Sequence, residues 1–127
     1  MKLLKYPEDR IILNNISKID YSNALITNCP KEILKKTCDE VLKYGFAVVA
    51  AFPTYIEYVI KRLRDSQAHS QIAVGFPCGN HFMEVKLKEA EIALNLGVKE
   101  VDMVMNIYRF INKDYNYAKQ HFMILIF

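Results

Sequence analysis

Two predicted strands of this chain carry the side chains that could do chemistry. Asp102 lies in the middle of the apolar segment 98–107, VKEVDMVMNI, where a carboxylate is costly to bury unless another group pairs with it. A period of two places Asp102 and Asn106, four residues apart, on one face of that strand, and it likewise places Asp20 and Ser22, two residues apart, on one face of an earlier strand. Buried acids are enriched at functional sites, so Asp102 is the leading candidate. A structural carboxylate held by backbone amides is the alternative.

The elements that must position these residues alternate between strand and helix periods. Pro30 can begin a helix that Gly45 ends, and Gly97 follows a third amphipathic helix as its C-terminal cap. Asp114 can cap a last helix after a loop at 108–113. Residues 1–15 are interpreted as an N-terminal extension with a short helix. The predicted strands are 16–22, 46–52, 71–76 and 98–107, and the three helices between them are 30–44, 55–64 and 83–96.

The repeated βα alternation predicts an α/β fold with a parallel sheet covered by helices. Two architectures accept it, a small doubly wound sheet and the first half of a (β/α)8 barrel. A complete barrel needs about 200 residues or more, against 127 here. The whole chain, 1–127, is therefore treated as one domain, and composition does not choose between the two architectures.

Composition excludes several classes of function. The net charge of +3 is spread along the chain rather than gathered into a basic block, so no nucleic-acid partner is expected. No apolar run approaches the roughly 20 residues that cross a bilayer, and the N-terminus lacks a secretory core segment, so no membrane partner is expected. The three cysteines form no CxxC pair, and free thiols in a reducing cytoplasm are the simplest account.

Four segments together resemble a known family. They are IDYS around Asp20, GFAVVAAFPTYI, GFPCGNHFMEVK and EVDMVMNI, and they follow the order and spacing of the class I deoxyribose-phosphate aldolases from about Ile19 to Asp114. The resemblance implies four of the eight strands of a (β/α)8 barrel. It also implies a lyase that cleaves 2-deoxyribose 5-phosphate into glyceraldehyde 3-phosphate and acetaldehyde through a lysine Schiff base.

The resemblance assigns roles to four residues of this chain. It gives Asp102 the part of a catalytic aspartate in the proton relay beside the Schiff-base lysine. It places Asp20, Ser22 and Asn106 in the substrate pocket. The chain departs from the family pattern at several positions, among them Ala50 for a frequent cysteine, Tyr21 for a histidine and Phe82-Met83 for a Thr-Thr pair.

The amine that this chemistry requires is not expected among the lysines of this chain. Amine catalysis needs a desolvated lysine or one beside another cation. The helical lysines, Lys86 and Lys88 among them, are predicted to lie in water beside other charges. We therefore expect a truncated, inactive aldolase half, which self-associates or needs a separate C-terminal half to use a phosphorylated sugar.

Two further expectations complete the sequence interpretation. No cofactor and no metal are expected, because His69, His81 and His121 lack the spacing of a ligand cluster. The alternative function is a non-catalytic half-barrel module for binding or interaction, with the apolar tail 122–127, FMILIF, as its interface.

Overall fold

The structure is a computed structural model that describes residues 9–26 and 28–123. Most of the predicted apolar tail, and the first eight residues of the predicted N-terminal extension, lie outside the described residues.

The predicted alternation of strands and helices is confirmed. Gly45 (φ 78°) and Gly97 (φ 94°) end two of the helices in the left-handed conformation that glycine adopts without strain. No helix within the described part of the chain combines the length and apolar character of a membrane span. The elements in order are α1 (Asp9–Ile16), β1 (Asp20–Tyr21), α2 (Lys31–Tyr44), β2 (Val48–Ala51), a 3-10 turn (Pro53–Tyr55), α3 (Ile56–Leu63), β3 (His69–Val74), α4 (Met83–Leu96), β4 (Glu100–Met103), α5 (Ile107–Ile111) and α6 (Tyr115–Met123).

The four strands are parallel and lie in the order β1-β2-β3-β4. Each crossover is right-handed by the general rule for parallel strands, so a sequential order puts α2, α3 and α4 on the same face. A doubly wound sheet would instead reverse its strand order at a switch point. The order therefore favours the half-barrel arrangement over the doubly wound one.

The hydrophobic core lies between the sheet and the helices α2–α4. Val49 and Ala51 of β2 alternate with Val48 and Ala50, and only the first pair joins the cluster that the helices cover. The strand register extends this face across the sheet. Its buried members from the strands and helices are Val49, Ala51, Ile72, Val74, Met103, Leu34, Cys38, Val41, Ile56, Val59, Leu63, Ala90 and Ala93.

The strand predicted at 98–107 is wrong at both ends. The N–H of Val98 donates to the carbonyl of Ala93 (3.1 Å), which is the closing bond of a Schellman motif, so the strand begins only at Glu100. At the other end, Asn106 caps α5 by accepting a hydrogen bond from the N–H of Arg109 (2.9 Å). The loop predicted at 108–113 is therefore largely helical.

The other three strands also differ from their predicted bounds, since β2 spans Val48–Ala51 rather than 46–52 and β3 ends at Val74 rather than at 76. The strand predicted at 16–22 keeps only Asp20 and Tyr21, because α1 runs through Ile16 and a turn follows it. The third strand begins at His69, two residues before its predicted start, since its N–H donates to the carbonyl of Ala47 (2.8 Å).

The geometry of the sheet predicts self-association. Within the described residues, β1 and β4 form the two edges and pair on one side only, and unpaired edges recruit other strands. We expect analytical ultracentrifugation to show an average mass that rises with concentration above the 14.8 kDa of one chain. A single 14.8 kDa species over a hundredfold range of concentration would contradict this prediction.

Candidate functional site

The two candidate carboxylates occupy the same face of the sheet. Asp20 pairs in register with Val48, and Asp102 pairs with Ala73. Val48 and Ala73 both lie on the face opposite the helices, because they alternate with the core residues of their strands. Asp20 and Asp102 therefore both project from the face that α2, α3 and α4 leave uncovered.

Asp102 is exposed, and this corrects the expectation of a buried acid. The prediction assumed a strand enclosed on both faces. In the described chain, the helices cover only the other face and Asp102 lies on β4, an edge strand, so the carboxylate stays in water and the cost of burying it does not arise. The side chain of Asp102 makes no hydrogen bond or ion pair with another residue of ranges 9–26 and 28–123. Its oxygens remain available to a ligand or to a further protein segment.

Asp20 and Ser22 lie together, as their spacing suggested. The hydroxyl of Ser22 donates to a carboxylate oxygen of Asp20 at 3.1 Å, and both side chains are exposed. The pair is not in contact with Asp102. Asp102 lies three strands away and four residues farther along the register, about 14 Å across the sheet and about 13 Å along it.

Asn106 lies outside the strand that carries Asp102. It follows the end of β4, is 6% exposed, and uses its side-chain oxygen to cap α5. The prediction that Asp102 and Asn106 share a face assumed a strand that continues to 107, but β4 ends at Met103. A role for Asn106 in substrate binding stays a prediction, and the cap is the role that its contacts describe.

Tyr21, which replaces a histidine of the family pattern, points toward the helices. It pairs in register with Val49 of the core, and its hydroxyl donates to Glu40 of α2 at 2.6 Å. That hydrogen bond, together with burial, raises the pKa of Tyr21. The departure at this position therefore changes the helix-facing side of β1 and leaves the face of Asp20 unchanged.

His69 and Glu100 add a polar contact to the open face. They come from β3 and β4, with His69 Nδ1 and a Glu100 carboxylate oxygen 2.7 Å apart. Within the described ranges, no three side chains of His, Cys, Asp and Glu converge on a possible metal position. The open face thus carries polar groups from β1, β3 and β4.

A tight turn joins β3 to α4 and packs against the chain that leaves β4. Gly75 and Gly79 both have positive φ, and the N–H of Gly79 donates to the carbonyl of Gly75 at 2.8 Å. A Cβ on Gly79 would lie 1.9 Å from the carbonyl oxygen of Met105. The two segments therefore meet backbone to backbone, which only glycine allows. We call residues 75–79 the glycine turn and residues 104–106 the β4 exit.

Lys86 of α4 is the residue that the sequence interpretation placed wrongly. It was predicted to lie in water beside other charges, but it is fully buried. Its ammonium donates to the carbonyl of Gly79 at 3.2 Å and to the carbonyl of Val104 at 2.8 Å. Burial lowers the pKa of Lys86. One signal could have identified it, because Lys86, Ala90 and Ala93 repeat at helical spacing on the buried stripe.

Glu89, one turn farther along α4, holds the same turn. Its carboxylate accepts a hydrogen bond from the N–H of Gly75 at 2.9 Å. The glycine turn is thus anchored by an anion at one end and a cation at the other, both from one helix. This fixes where the β3 and β4 chains leave the sheet.

Fold and site together define a class of protein. A sequential parallel sheet with helices on one face is the arrangement of part of a (β/α)8 barrel, and the described residues supply four of its strands. A crystal structure from Coccidioides immitis assigned as a deoxyribose-phosphate aldolase has a TM-score of 0.77 and 28% identity, over 86% of this chain and 43% of that one. The tetrameric deoxyribose phosphate aldolase from Aeropyrum pernix has a TM-score of 0.65 and 25% identity, over 94% of this chain and 51% of that one.

The sequence is similar to deoxyribose-phosphate aldolases. No family model matches the chain. The chain is 37% identical over 108 residues to the deoxyribose-phosphate aldolase of Caldanaerobacter subterraneus subsp. tengcongensis, covering 85% of this chain and 47% of the relative. It is 40% identical over 105 residues to that of Clostridium perfringens strain 13, covering 83% and 47%. The chain is therefore a homologue of the deoxyribose-phosphate aldolases, and it spans about half the length of the curated relatives it matches.

The contact between Gly79 and Met105 predicts a large effect of one methyl group. Gly79→Ala should lower the free energy of unfolding by about 3 kcal/mol or more, since a left-handed backbone and a backbone clash add together. Gly97→Ala is the matched control, because Gly97 also has positive φ but has nothing within 4 Å of its Cβ position. It should cost about 1–2 kcal/mol. Equal losses in urea denaturation would contradict the close packing of the glycine turn on the β4 exit.

The buried Lys86 predicts a pH dependence of stability. Its folded pKa is lowered, so between that value and the unfolded value the unfolded chain binds more protons, and stability rises with pH. The neutral amine still donates N–H groups to carbonyls. Compared with Lys86→Met, the wild-type chain should gain stability from pH 7 toward pH 10, by at most about 1.4 kcal/mol per pH unit. A difference in unfolding free energy that is flat or falls with pH would contradict the prediction.

Proposed function

We propose that this chain provides the carboxylate side of a deoxyribose-phosphate aldolase site, with Asp102 as its catalytic acid–base group. The proposal depends on one observation made in a homologue of these aldolases. Asp102, the third residue of β4, is exposed on the open face near the carboxyl end of its strand. Barrel enzymes build their active sites at that end of the sheet. Asp20, with its Ser22 partner, would bind the substrate from β1.

The reaction requires an amine and a proton carrier. In the proposed retro-aldol step, a lysine amine condenses with the aldehyde of 2-deoxyribose 5-phosphate and releases water. The bond between C2 and C3 then breaks while the C3 hydroxyl loses its proton, giving glyceraldehyde 3-phosphate and an enamine that is protonated and hydrolysed to acetaldehyde. Asp102 is suited to relay these protons, because a positioned carboxylate in hydrogen-bond reach can take and return them.

The amine of the proposed reaction would come from residues other than those described. Lys86 has the lowered pKa that amine catalysis favours, but it is sealed from solvent, and its ammonium donates to two backbone carbonyls. A substrate aldehyde cannot reach it. The proposed site therefore needs a second barrel half, in the same polypeptide or as a separate partner, to supply the Schiff-base lysine and to cover the open face.

The proposed partners follow from this division. The ligand of the assembled site is a small phosphorylated sugar, and the open face with its two strand edges is the surface for self-association or for a C-terminal half. The free thiols Cys29, Cys38 and Cys78 support a reducing, cytoplasmic location. Burial raises the pKa of Cys38 to about 11, which keeps that thiol protonated.

A chimera tests the proposal. Residues 1–114 are joined to the second half of the Clostridium perfringens relative, and cleavage of 2-deoxyribose 5-phosphate is followed through the acetaldehyde released. We expect turnover, with Asp102→Asn lowering kcat by on the order of 10²–10⁴-fold through loss of proton transfer. Asp65→Asn is the control, since Asp65 lies between α3 and β3 at the opposite end of the sheet.

Two results with the chimera would contradict the role proposed for Asp102. A folded chimera without turnover, or one in which Asp102→Asn retains the wild-type kcat, would exclude the assigned role. Borohydride trapping of this chain alone with the sugar phosphate should label no lysine. An adduct on any lysine of this chain, Lys86 included, would contradict the assignment of the Schiff-base amine to the other barrel half.

A further inference from the structure

The chain leaving β4 is held at Val104 from two sides. The N–H of Val104 donates to the carbonyl of Val74 at 3.0 Å, which is the last link to β3. The carbonyl of Val104 accepts from the ammonium of Lys86 at 2.8 Å. Val104 is two residues beyond Asp102, so this peptide is the first one past the end of β4 at Met103.

The Lys86 side chain reaches Val104 through a notch that glycine leaves open. A Cβ on Gly75 would lie 2.6 Å from the Cδ of Lys86 and 3.3 Å from its Cγ. The lysine thus passes from the helix layer alongside the glycine turn and ends between that turn and the β4 exit. It contacts both segments, because the carbonyl of Gly79 accepts its second hydrogen bond.

An apolar residue would fill this space without the cost of burying a charge. The rest of the buried stripe of α4 is small and apolar, with Ala90 and Ala93 at 3% and 1% exposure. Replacing buried charges by apolar groups of similar volume is often neutral or stabilising. We therefore infer that the lysine serves to donate hydrogen bonds to the carbonyls of Gly79 and Val104 rather than to fill the core.

Other hydrogen bonds near the glycine turn and the β4 exit lie farther from Asp102. The N–H of Ile107 donates to the carbonyl of Cys78 at 3.4 Å, and the N–H of Tyr108 donates to the side chain of Asn80 at 3.3 Å. Both donors belong to α5, beyond the β4 exit. The hydrogen bond of Lys86 to Val104 is therefore nearer to Asp102 along the chain than either of these two bonds.

We propose that Lys86 is a positioning residue for Asp102, because its hydrogen bonds to Gly79 and Val104 fix the β4 exit against the glycine turn. The inference rests on the proposed function for the role of Asp102. Lys86 touches no reacting atom. It acts by limiting the directions that the end of β4 can take, and catalysis is sensitive to small displacements of such groups.

The first test is hydrogen exchange on this chain, with Lys86→Met compared with wild type. Met has a similar length and no donor, and Lys88→Met is the matched control, since Lys88 lies on the same helix but is exposed and pairs with Glu91. We expect Lys86→Met to speed amide exchange at least tenfold in peptides covering 75–80 and 100–108, with 31–44 unchanged. Lys88→Met should change none of them. An equal rise over the whole chain would assign Lys86 to general stability and overturn the proposal.

The second test is kinetic and uses the chimera. Lys86→Met should lower kcat at least tenfold while the KM for 2-deoxyribose 5-phosphate stays within twofold, because binding groups are intact and only the acid–base group is displaced. Unchanged kcat per folded molecule in Lys86→Met would overturn the positioning role. A wild-type chimera without turnover would instead refute the proposed function, and the exchange test would still judge whether Lys86 fixes the β4 exit.

A second variant keeps the proposal testable if Lys86→Met does not fold. Lys86→Arg retains the cation, but its larger, planar guanidinium places its donors in a geometry different from that of the ammonium. We expect it to fold and to show the same local pattern with smaller changes. Wild-type exchange and wild-type kcat in Lys86→Arg would overturn the proposal.

Discussion

The ammonium of Lys86, held between the carbonyls of Gly79 and Val104, is the interaction on which the carboxyl end of this sheet depends. It joins the turn after β3 to the chain after β4, and both segments are too irregular to be fixed by sheet hydrogen bonds alone. Removing the lysine and replacing it by an apolar residue have opposing effects on the free energy of folding. Two buried carbonyls without donors cost more than a well-bonded lysine, although an apolar side chain would avoid the desolvation of a charge.

The sequential strand order explains why the acids are accessible. Three right-handed crossovers place α2–α4 on one face, and the strand register then sends Asp20 and Asp102 to the other. A closed barrel would enclose that second face, whereas four strands leave it open. The same geometry accounts for the exposure of Asp102 and for the two unpaired edge strands of the described sheet. Four strands of eight also agree with the lengths of the homologues, which are about twice as long as the matched region.

Sequence pattern predicted the elements with strong local signals and missed those defined by long-range contacts. Met83–Leu96 was predicted to the residue, because an apolar stripe and Gly97 mark it. The bounds of β4 depend on hydrogen bonds that periodicity does not encode, namely the Schellman bond of Val98 and the Asn106 cap. Lys86 was misplaced for a related reason. Lysine ordinarily prefers water, and only the notch at Gly75 and the two carbonyls reveal a buried ammonium.

The notch at Gly75 has an evolutionary consequence. Any side chain at position 75 would occupy the path of the Lys86 methylenes, and its backbone has the left-handed φ of 70° that glycine favours. A lysine at 86 is therefore tolerated only beside a glycine at 75, whereas that glycine could persist without the lysine. Among relatives that share this turn, those with a lysine at the position of Lys86 should also have a glycine at the position of Gly75, whereas those with the glycine need not have the lysine.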